Sequence, residues 1–429
     1  MHLKDILEKK WLLYQFSDEK VFDIYDKWWQ TLYFGVDPTA DSMHIWHFTI
    51  FMNALNYMLK WNKLILIVGG ATGMIWDPSD RDSERSFLDK EQLDKNVDSL
   101  SKQMSKIVSN LENLSWKKLE FEIINNHDFY ENMTFLDFLR DVGKYITVNN
   151  MMNKETVRPR IEDPDKSISY TEFSYMLIQA YDFVKLYKEK DCKLQICGSD
   201  QWWNWVTGIE LIRKILDKES YVVSAPLILD SSGKKFGKSE WNAIWIDENK
   251  SSPYFVYQYF MNCTDEDVER FLKIYTILDF EEIDKIIARH KQDPAKRYWQ
   301  AMLAKNVVKT IFGEKQAIQA EKISEVMFGK EDKKEILKSM DDPEIQALKN
   351  EIWGVAWWWD IKLTEALTQS WLTASNWEAK KMIKSGAIYL YEEKVEDLEK
   401  EITESDLINW KAVLLRKWKK NYKIITRIQ

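Results

Sequence analysis

The sequence predicts a doubly wound α/β fold on a parallel sheet, followed by a helical domain and a small α+β module. Three observations carry this reading. Residues 31–36 and 64–68 are short apolar runs flanking an apolar-periodic segment, 48–59, and strand–helix–strand in that order implies a parallel pair joined by a crossover helix. A second such unit follows, with a strand at 194–197, a helix at 204–216 and a strand at 221–223. Beyond residue 252 the pattern turns helical and charged until about 349, and a basic segment closes the chain.

A chain of 429 residues exceeds what one core supports. We divide it at composition shifts into 1–250, 251–350 and 355–429, with Asp341-Asp342-Pro343 and residues 353–360 marking the last boundary. Apolar residues make up 45% of the chain, enough for ordinary cores, and the net charge of −8 argues against indiscriminate polyanion binding. That charge is uneven. Residues 371–429 hold twelve Lys and Arg against nine Asp and Glu, which sets a tail of +3 on a body of −11. The start of the chain lacks the apolar stretch of a signal peptide, and no apolar run reaches membrane-spanning length, so a soluble cytoplasmic protein is expected. Cys192, Cys197 and Cys263 form neither an even framework nor a CxxC, which favours reduced thiols and no zinc site.

Composition holds one anomaly. There are 21 Trp and 13 Gly, whereas glycine makes up about 7% of ordinary proteins. Several Trp stand where a backbone would want no side chain, including Trp46 between two histidines and Trp76 in a loop. The sequence reading is that UGA encodes glycine in the source and has been translated as tryptophan.

Chemistry concentrates in a few places. His44 and His47, two of five histidines, follow the first strand at the start of a helix. There they can serve phosphate oxygens beside free backbone N–H groups. An i,i+3 pair without a placed third ligand makes a poor zinc site. Gly233-Lys234-Lys235-Phe236-Gly237-Lys238-Ser239 is a lysine cluster in a loop, which taken alone reads best as a solvated turn. Tyr175, Gln179 and Asp182 fall at i, i+4 and i+7 on one helix face, while Phe173, Leu177 and Phe183 occupy others. Such a polar stripe suits a polar ligand, and a solvent-exposed face is the alternative.

Together these motifs resemble the bacterial tyrosyl-tRNA synthetases. The resemblance runs through Leu32-Tyr33-Phe34-Gly35-Val36-Asp37-Pro38-Thr39 into His44-Ile45-Trp46-His47, which reads as His-Ile-Gly-His with Trp for Gly. It continues in Gly69-Gly70-Ala71-Thr72-Gly73, Asp77-Pro78-Ser79, the 134–144 and 171–183 segments, Gly198-Ser199-Asp200-Gln201 and Lys235-Phe236-Gly237-Lys238-Ser239. It implies a class I, Rossmann-like catalytic domain, a helical anticodon-recognition domain and a C-terminal RNA-binding module. The activity implied is ligation of tyrosine to tRNA(Tyr) through tyrosyl-adenylate, with ATP as substrate and magnesium accompanying it.

By the same resemblance, Tyr33 and Asp182 bind the phenol, and Asp77, Tyr175 and Gln179 the ammonium group, with Asn126 in support and Gln201 beside the tyrosine. Gly35, Asp37, His44, His47, Gly198, Asp200, Lys235, Phe236, Lys238 and Ser239 surround ATP. Thr39, His44, His47, Lys235 and Lys238 act on the polyphosphate. Lys380, Lys381, Lys384, Arg416, Lys417, Lys419 and Lys420 are implied tRNA contacts, and the family is homodimeric through a segment near 125–165. Trp46, Trp76 and Trp203 depart from family glycines; real indoles there would obstruct the substrates, leaving a catalytically silent tRNA-binding protein as the alternative. A tryptophan-specific relative is disfavoured because Tyr33 and Asp182 together suit a phenol.

Overall fold

The computed structural model describes the chain apart from residues 28, 76–87, 155–156, 164–165, 200–201, 230–232, 234–242, 330, 358–359, 419–420 and 428–429, and the side chains of 202–205. Two compact units emerge. The first comprises 1–252 with 259–313, and the second 253–258 with 314–429.

The first unit is built on a six-stranded sheet: β1 (Gln15–Phe16), β2 (Thr31–Val36), β3 (Lys63–Val68), β4 (Phe121–Asn125), β5 (Cys192–Gly198) and β6 (Tyr221–Ala225). Their order is β1-β6-β5-β2-β3-β4. All neighbours run parallel except β1, which pairs antiparallel with β6 at the edge. The strand–helix–strand units expected at 31–68 and 194–223 are both present, with crossover helices Ile45–Met58 and Trp202–Leu216. β2 and β3 are buried along most of their length because helices cover a parallel sheet on both faces. From β2 the chain moves outward through β3 to β4, then returns to place β5 on the other side of β2. The carboxyl ends of β2 and β5 therefore flank a reversal of strand order, where doubly wound sheets open a crevice.

Helix Tyr170–Lys190 packs against this sheet through Met176, Leu177, Ala180, Phe183, Val184 and Leu186. Its start is fixed by a capping box, in which Ser169 Oγ accepts from the Glu172 N–H and the Glu172 carboxylate accepts from the Ser169 N–H. Glu172 also receives a bidentate fork from Arg160, both bonds at 3.0 Å, and both side chains are buried. Burial alone would raise the Glu172 carboxyl; the Arg160 fork and the Ser169 N–H outweigh it and hold the group below its ordinary value.

The second unit contains helices Glu314–Phe328, Lys333–Lys338 and Asp342–Glu351. Its five-stranded sheet runs β10 (Glu393–Lys394), β9 (Ile388–Leu390), β12 (Ala412–Lys417), β13 (Asn421–Arg427) and β7 (Val355–Trp357) in that order, with β8 (Ile361–Lys362) and β11 (Glu401–Ile402) as a separate pair. Leu348, Ile383, Val413, Leu414 and Ile424 belong to one continuous core beneath the sheet. The expected helical stretch is present as seven helices among the described residues of 253–351.

Breaking the buried ion pair leaves an uncompensated carboxylate. Arg160→Ala is expected to cost about 3–5 kcal/mol, read as a lower urea midpoint with an unchanged slope.

Candidate active site at the carboxyl ends of the strands

β2 delivers Tyr33 and, one residue past its end, Asp37. Asp37 accepts from Thr72 Oγ (2.6 Å to Oδ1) and from Tyr175 OH (2.6 Å to Oδ2). This crossing is possible because Gly69 has no side chain: a Cβ there would lie 2.2 Å from both Asp37 Oδ1 and Thr72 Oγ. The network continues inward. Asn126, fully buried, donates to Thr72 Oγ at 3.2 Å and to Asp182 Oδ2 at 2.9 Å, and its carbonyl accepts from the Ala71 N–H at 2.7 Å.

Asp182 is the pivot. Its other oxygen lies 2.7 Å from Tyr130 OH, which is also 2.8 Å from the Ile178 carbonyl oxygen. One hydroxyl hydrogen serves one acceptor at a time, so Tyr130 can turn to Ile178 whenever Asp182 carries its own proton. Burial pushes the Asp182 carboxyl up to about 7, opposed by the Asn126 and Tyr130 hydrogen bonds. Burial likewise drives the Tyr33 phenol well above its ordinary value, and the nearby Asp182 charge adds to the effect.

Around that carboxylate, polar atoms await a partner. Tyr33 OH, Gln179 Oε1 and Gln195 Nε2 are buried and make no hydrogen bond among the described residues. Tyr33 and Gln195 are register partners on adjacent β2 and β5, so their side chains stand together. Native interiors rarely leave such groups orphaned, and the paired Tyr33 and Gln195 side chains suit a polar ligand. The stripe predicted on the 170–190 helix is an interior one. Tyr175 and Asp182 are buried and Gln179 is half-buried, its amide 3.5 Å from Tyr175 OH.

Beside this pocket begins helix Ile45–Met58. His44 caps it by accepting from the Trp46 N–H through Nδ1, and His47 Nδ1 accepts from the His44 N–H, both at 3.3 Å. The rings stack at 4.0 Å. With both Nδ1 atoms accepting, each neutral ring carries its proton on Nε2. Ile244 O accepts from the Ile45 N–H at 3.0 Å, and Trp245 bridges His44 and meets its ring edge-on. The chain leaving the lysine loop is thereby fixed next to the histidine pair.

The structure thus brings together Tyr33, Asp37, Asn126, Tyr175, Gln179 and Asp182, with His44 and His47 at the helix start after β2. Thr39 is exposed just after β2, its N–H on the Asp37 carbonyl at 2.8 Å. Gly35 lies on β2 and Gly198 ends β5. Asp77, Asp200, Gln201, Lys235, Phe236, Lys238 and Ser239 lie outside the described residues, as do Lys419 and Lys420. Sequence reasoning missed Thr72, Tyr130 and Gln195. Thr72 lay within a quoted motif and Tyr130 four residues past Asn126, but only the fold turns Thr72 to Asp37 and Asn126 and Tyr130 to Asp182. One surface trio, His127, Asp128 and Glu131, brings ligand-capable atoms within 4.8 Å of one another; two exposed acids without a buried partner do not define a cation site.

In the second unit the predicted basic residues divide. Lys380, Lys381 and Lys384 are exposed on helix Asn376–Lys384. Arg416 and Lys417 are used internally: Arg416 stacks on Tyr389 at 4.0 Å beside Glu392, and Lys417 donates to the Leu372 carbonyl (2.9 Å) and Glu378 (2.8 Å).

Residues 30–329 match the family model of class I tRNA synthetases for W and Y, and 347–425 match the tyrosine–tRNA ligase SYY-like C-terminal domain. Fold and site together define a class I aminoacyl-tRNA synthetase. A tyrosine–tRNA ligase of Streptococcus gordonii is 38% identical over 434 residues, covering 99% of this chain and all of that protein. One from Streptococcus suis is 39% identical over 431 residues, with the same coverage. A C-terminally truncated mitochondrial tyrosyl-tRNA synthetase of Aspergillus nidulans superposes with a TM-score of 0.67 at 29% identity, covering 74% of this chain and 92% of that one. A tryptophanyl-tRNA synthetase from Encephalitozoon cuniculi, with a TM-score of 0.51 and 13% identity over 81% of this chain and 94% of that one, shares the fold alone. The chain belongs to the tyrosine–tRNA ligases, ATP-using enzymes that act on tRNA. No described helix is long and apolar enough to cross a membrane.

Asp182 also makes stability depend on pH. Its folded value, about 7, lies above the ordinary 3.8, so between those limits the folded state holds a proton that the unfolded state has released. Stability from this group is complete below about pH 4 and is lost as pH rises through 7. Asp182→Asn, which keeps the shape without the charge, is expected to melt higher than the parent at pH 8, with the gap closing by pH 4 in thermal scans.

Proposed function

We propose that the Asp182 pocket binds tyrosine and that the His44–His47 helix end binds the ATP polyphosphate. The tyrosine carboxylate oxygen attacks the α-phosphorus, an O–P bond forms, the bond to the β-phosphate oxygen breaks and pyrophosphate leaves. The 3′-terminal ribose hydroxyl of tRNA(Tyr) then attacks the tyrosyl carbonyl and AMP departs. Little covalent work falls to the protein, so positioning and charge stabilisation dominate.

The observation that carries this reading is the buried Asp182 carboxylate beside the unpaired Tyr33 hydroxyl. The substrate phenol O–H donates to Asp182 while its oxygen accepts from Tyr33. Phenylalanine would leave the Tyr33 hydroxyl buried without a partner and the Asp182 charge one donor short, and the discrimination of tyrosine from phenylalanine by this enzyme family is the known instance of that effect. Gln179 and Tyr175, with Asp77, hold the ammonium group. Asp37, already accepting from Tyr175, links the tyrosine pocket to the ribose side, with Gly35, Gly198 and Asp200 around the nucleotide and Gln201 beside the tyrosine. His44 and His47 donate from Nε2 to phosphate oxygens alongside Thr39, Lys235 and Lys238 offset charge on the leaving pyrophosphate, and Phe236 and Ser239 belong to the ATP site. Magnesium arrives with ATP and offsets charge on its phosphates.

Two further parts of the reading rest on surface chemistry. Lys380, Lys381 and Lys384 share one exposed helix, and tRNA backbone phosphates suit them. Phe135, Leu136, Leu139, Val148, Met152 and Ile161 are exposed on three short consecutive helices, an apolar surface that supports a homodimer.

In pyrophosphate exchange, Asp182→Ala is expected to raise the tyrosine KM at least 100-fold and the ATP KM less than threefold, since the carboxylate meets only the amino acid; equal losses for both substrates contradict the assignment. Reversing Lys380, Lys381 and Lys384 to Glu together is expected to lower tRNA charging more than tenfold with exchange unchanged; unaltered charging removes that helix from the tRNA surface. Leu136→Glu is expected to shift the light-scattering mass from dimer to monomer.

A further inference from the structure

Fourteen non-glycine residues among those described have positive φ, and eight of them are tryptophan: Trp11, Trp29, Trp61, Trp116, Trp353, Trp371, Trp410 and Trp418, with φ between 53° and 69°. A bulky side chain in that region is an outlier wherever it occurs. Eight in one chain, all the same residue type, require a common cause.

Five of them sit in settings that ordinarily take glycine. After helix Leu3–Lys9, the Trp11 N–H reaches the Glu8 carbonyl and the Leu12 N–H reaches the Leu7 carbonyl. After helix Ile45–Met58, Trp61 bonds to Met58 and Asn62 to Tyr57; after helix Leu363–Gln369, Trp371 bonds to Thr368 and Leu372 to Leu367. These are Schellman closures, whose left-handed residue is ordinarily glycine. The chain supplies its own standard: helix Asn376–Lys384 ends identically at Gly386 (φ 70°), with Gly386 bonding to Ile383 and Ala387 to Met382. Trp116 is the left-handed cap of helix Lys90–Ser115. In the turn closed by the Lys411 N–H on the Ile408 carbonyl, Asn409 and Trp410 both have positive φ. That is a type I′ turn, for which Asn-Gly is the preferred pair.

The indoles gain little in exchange. All eight are at least half exposed, Trp116 at 93% and Trp371 at 86%, and the Lys117 ammonium 5.8 Å over the Trp61 ring is too weak a contact at a surface to offset the backbone. We infer that the working protein carries glycine at these eight positions, and that one codon, UGA, is decoded there as glycine rather than tryptophan. The rule does not extend to Trp245, whose ring meets His44 and whose backbone makes no such demand. It does extend to Trp46, between the paired histidines, where glycine leaves the helix start open to a phosphate; this extension rests on the proposed ATP site, whereas the eight positions do not.

Two measurements test the inference. Peptide mass mapping of the protein from its source, with sequencing of the gene, is expected to find UGA and glycine at all eight positions and at 46, and UGG and tryptophan at 245. UGG codons with tryptophan at the eight overturn it, whereas tryptophan at 46 alone removes only the extension. Independently, two recombinant chains are compared, one with Trp at the eight positions and one with Gly. The glycine chain is expected to melt roughly 10 °C or more higher; equal or lower melting overturns the backbone argument.

Discussion

A carboxylate buried away from water is the constraint on which the rest of the first unit depends. Asp182 is held at 3% exposure by Asn126 on one oxygen and Tyr130 on the other. Those two donors lower the cost of the charge without removing it, which leaves the group poised near neutrality. Everything around it follows from keeping that site dry and its partners aimed. Asn126 is itself fixed by the Ala71 N–H and Thr72, Thr72 by Asp37, and Asp37 by Tyr175 on the same helix as Asp182. The chain of bonds closes on itself, so displacement of any member is felt at both ends.

The sheet explains why such a ring can exist. Its contributors come from the carboxyl end of β2, the turn after β3, the end of β4 and one helix, which meet where the strand order reverses. Adjacent to them, the histidine pair occupies a helix start whose N–H groups are taken up within the protein, so that an anion there meets the positive end of the helix dipole and the two imidazole rings. An aromatic amino acid and a polyphosphate are thus accommodated by neighbouring features with different physics. One is a desolvated hydrogen-bond pocket, and the other a partly exposed array of donors.

Much of this was legible from residues alone. β2, β3 and the helix between them announce themselves through continuous apolar runs, and the Tyr175–Gln179–Asp182 spacing identifies a polar face before any coordinates exist. What the spacing leaves open, interior or solvent, is decided by burial against the sheet. β4 was not read as a strand: its five residues are all half-buried and its sequence, Phe-Glu-Ile-Ile-Asn, lacks turn residues at its start. Thr72, Tyr130 and Gln195 were passed over because their roles depend on approach across the fold. Charge misleads in the tail for the same reason. Arg416 and Lys417 read like their exposed neighbours, yet an aromatic ring, a carboxylate and a carbonyl inside the module use them. The tryptophan surplus is visible in composition, but only backbone angles say which positions require glycine.

The most direct test of the central claim is the affinity for tyrosine of the free enzyme as a function of pH, measured by calorimetry without ATP. If Asp182 accepts the phenol hydrogen from a pocket where its own proton is held up to about 7, binding tightens as pH rises from 5 to 8 and proton release accompanies it near neutrality. An affinity that stays flat across that range, with no proton released, contradicts the account.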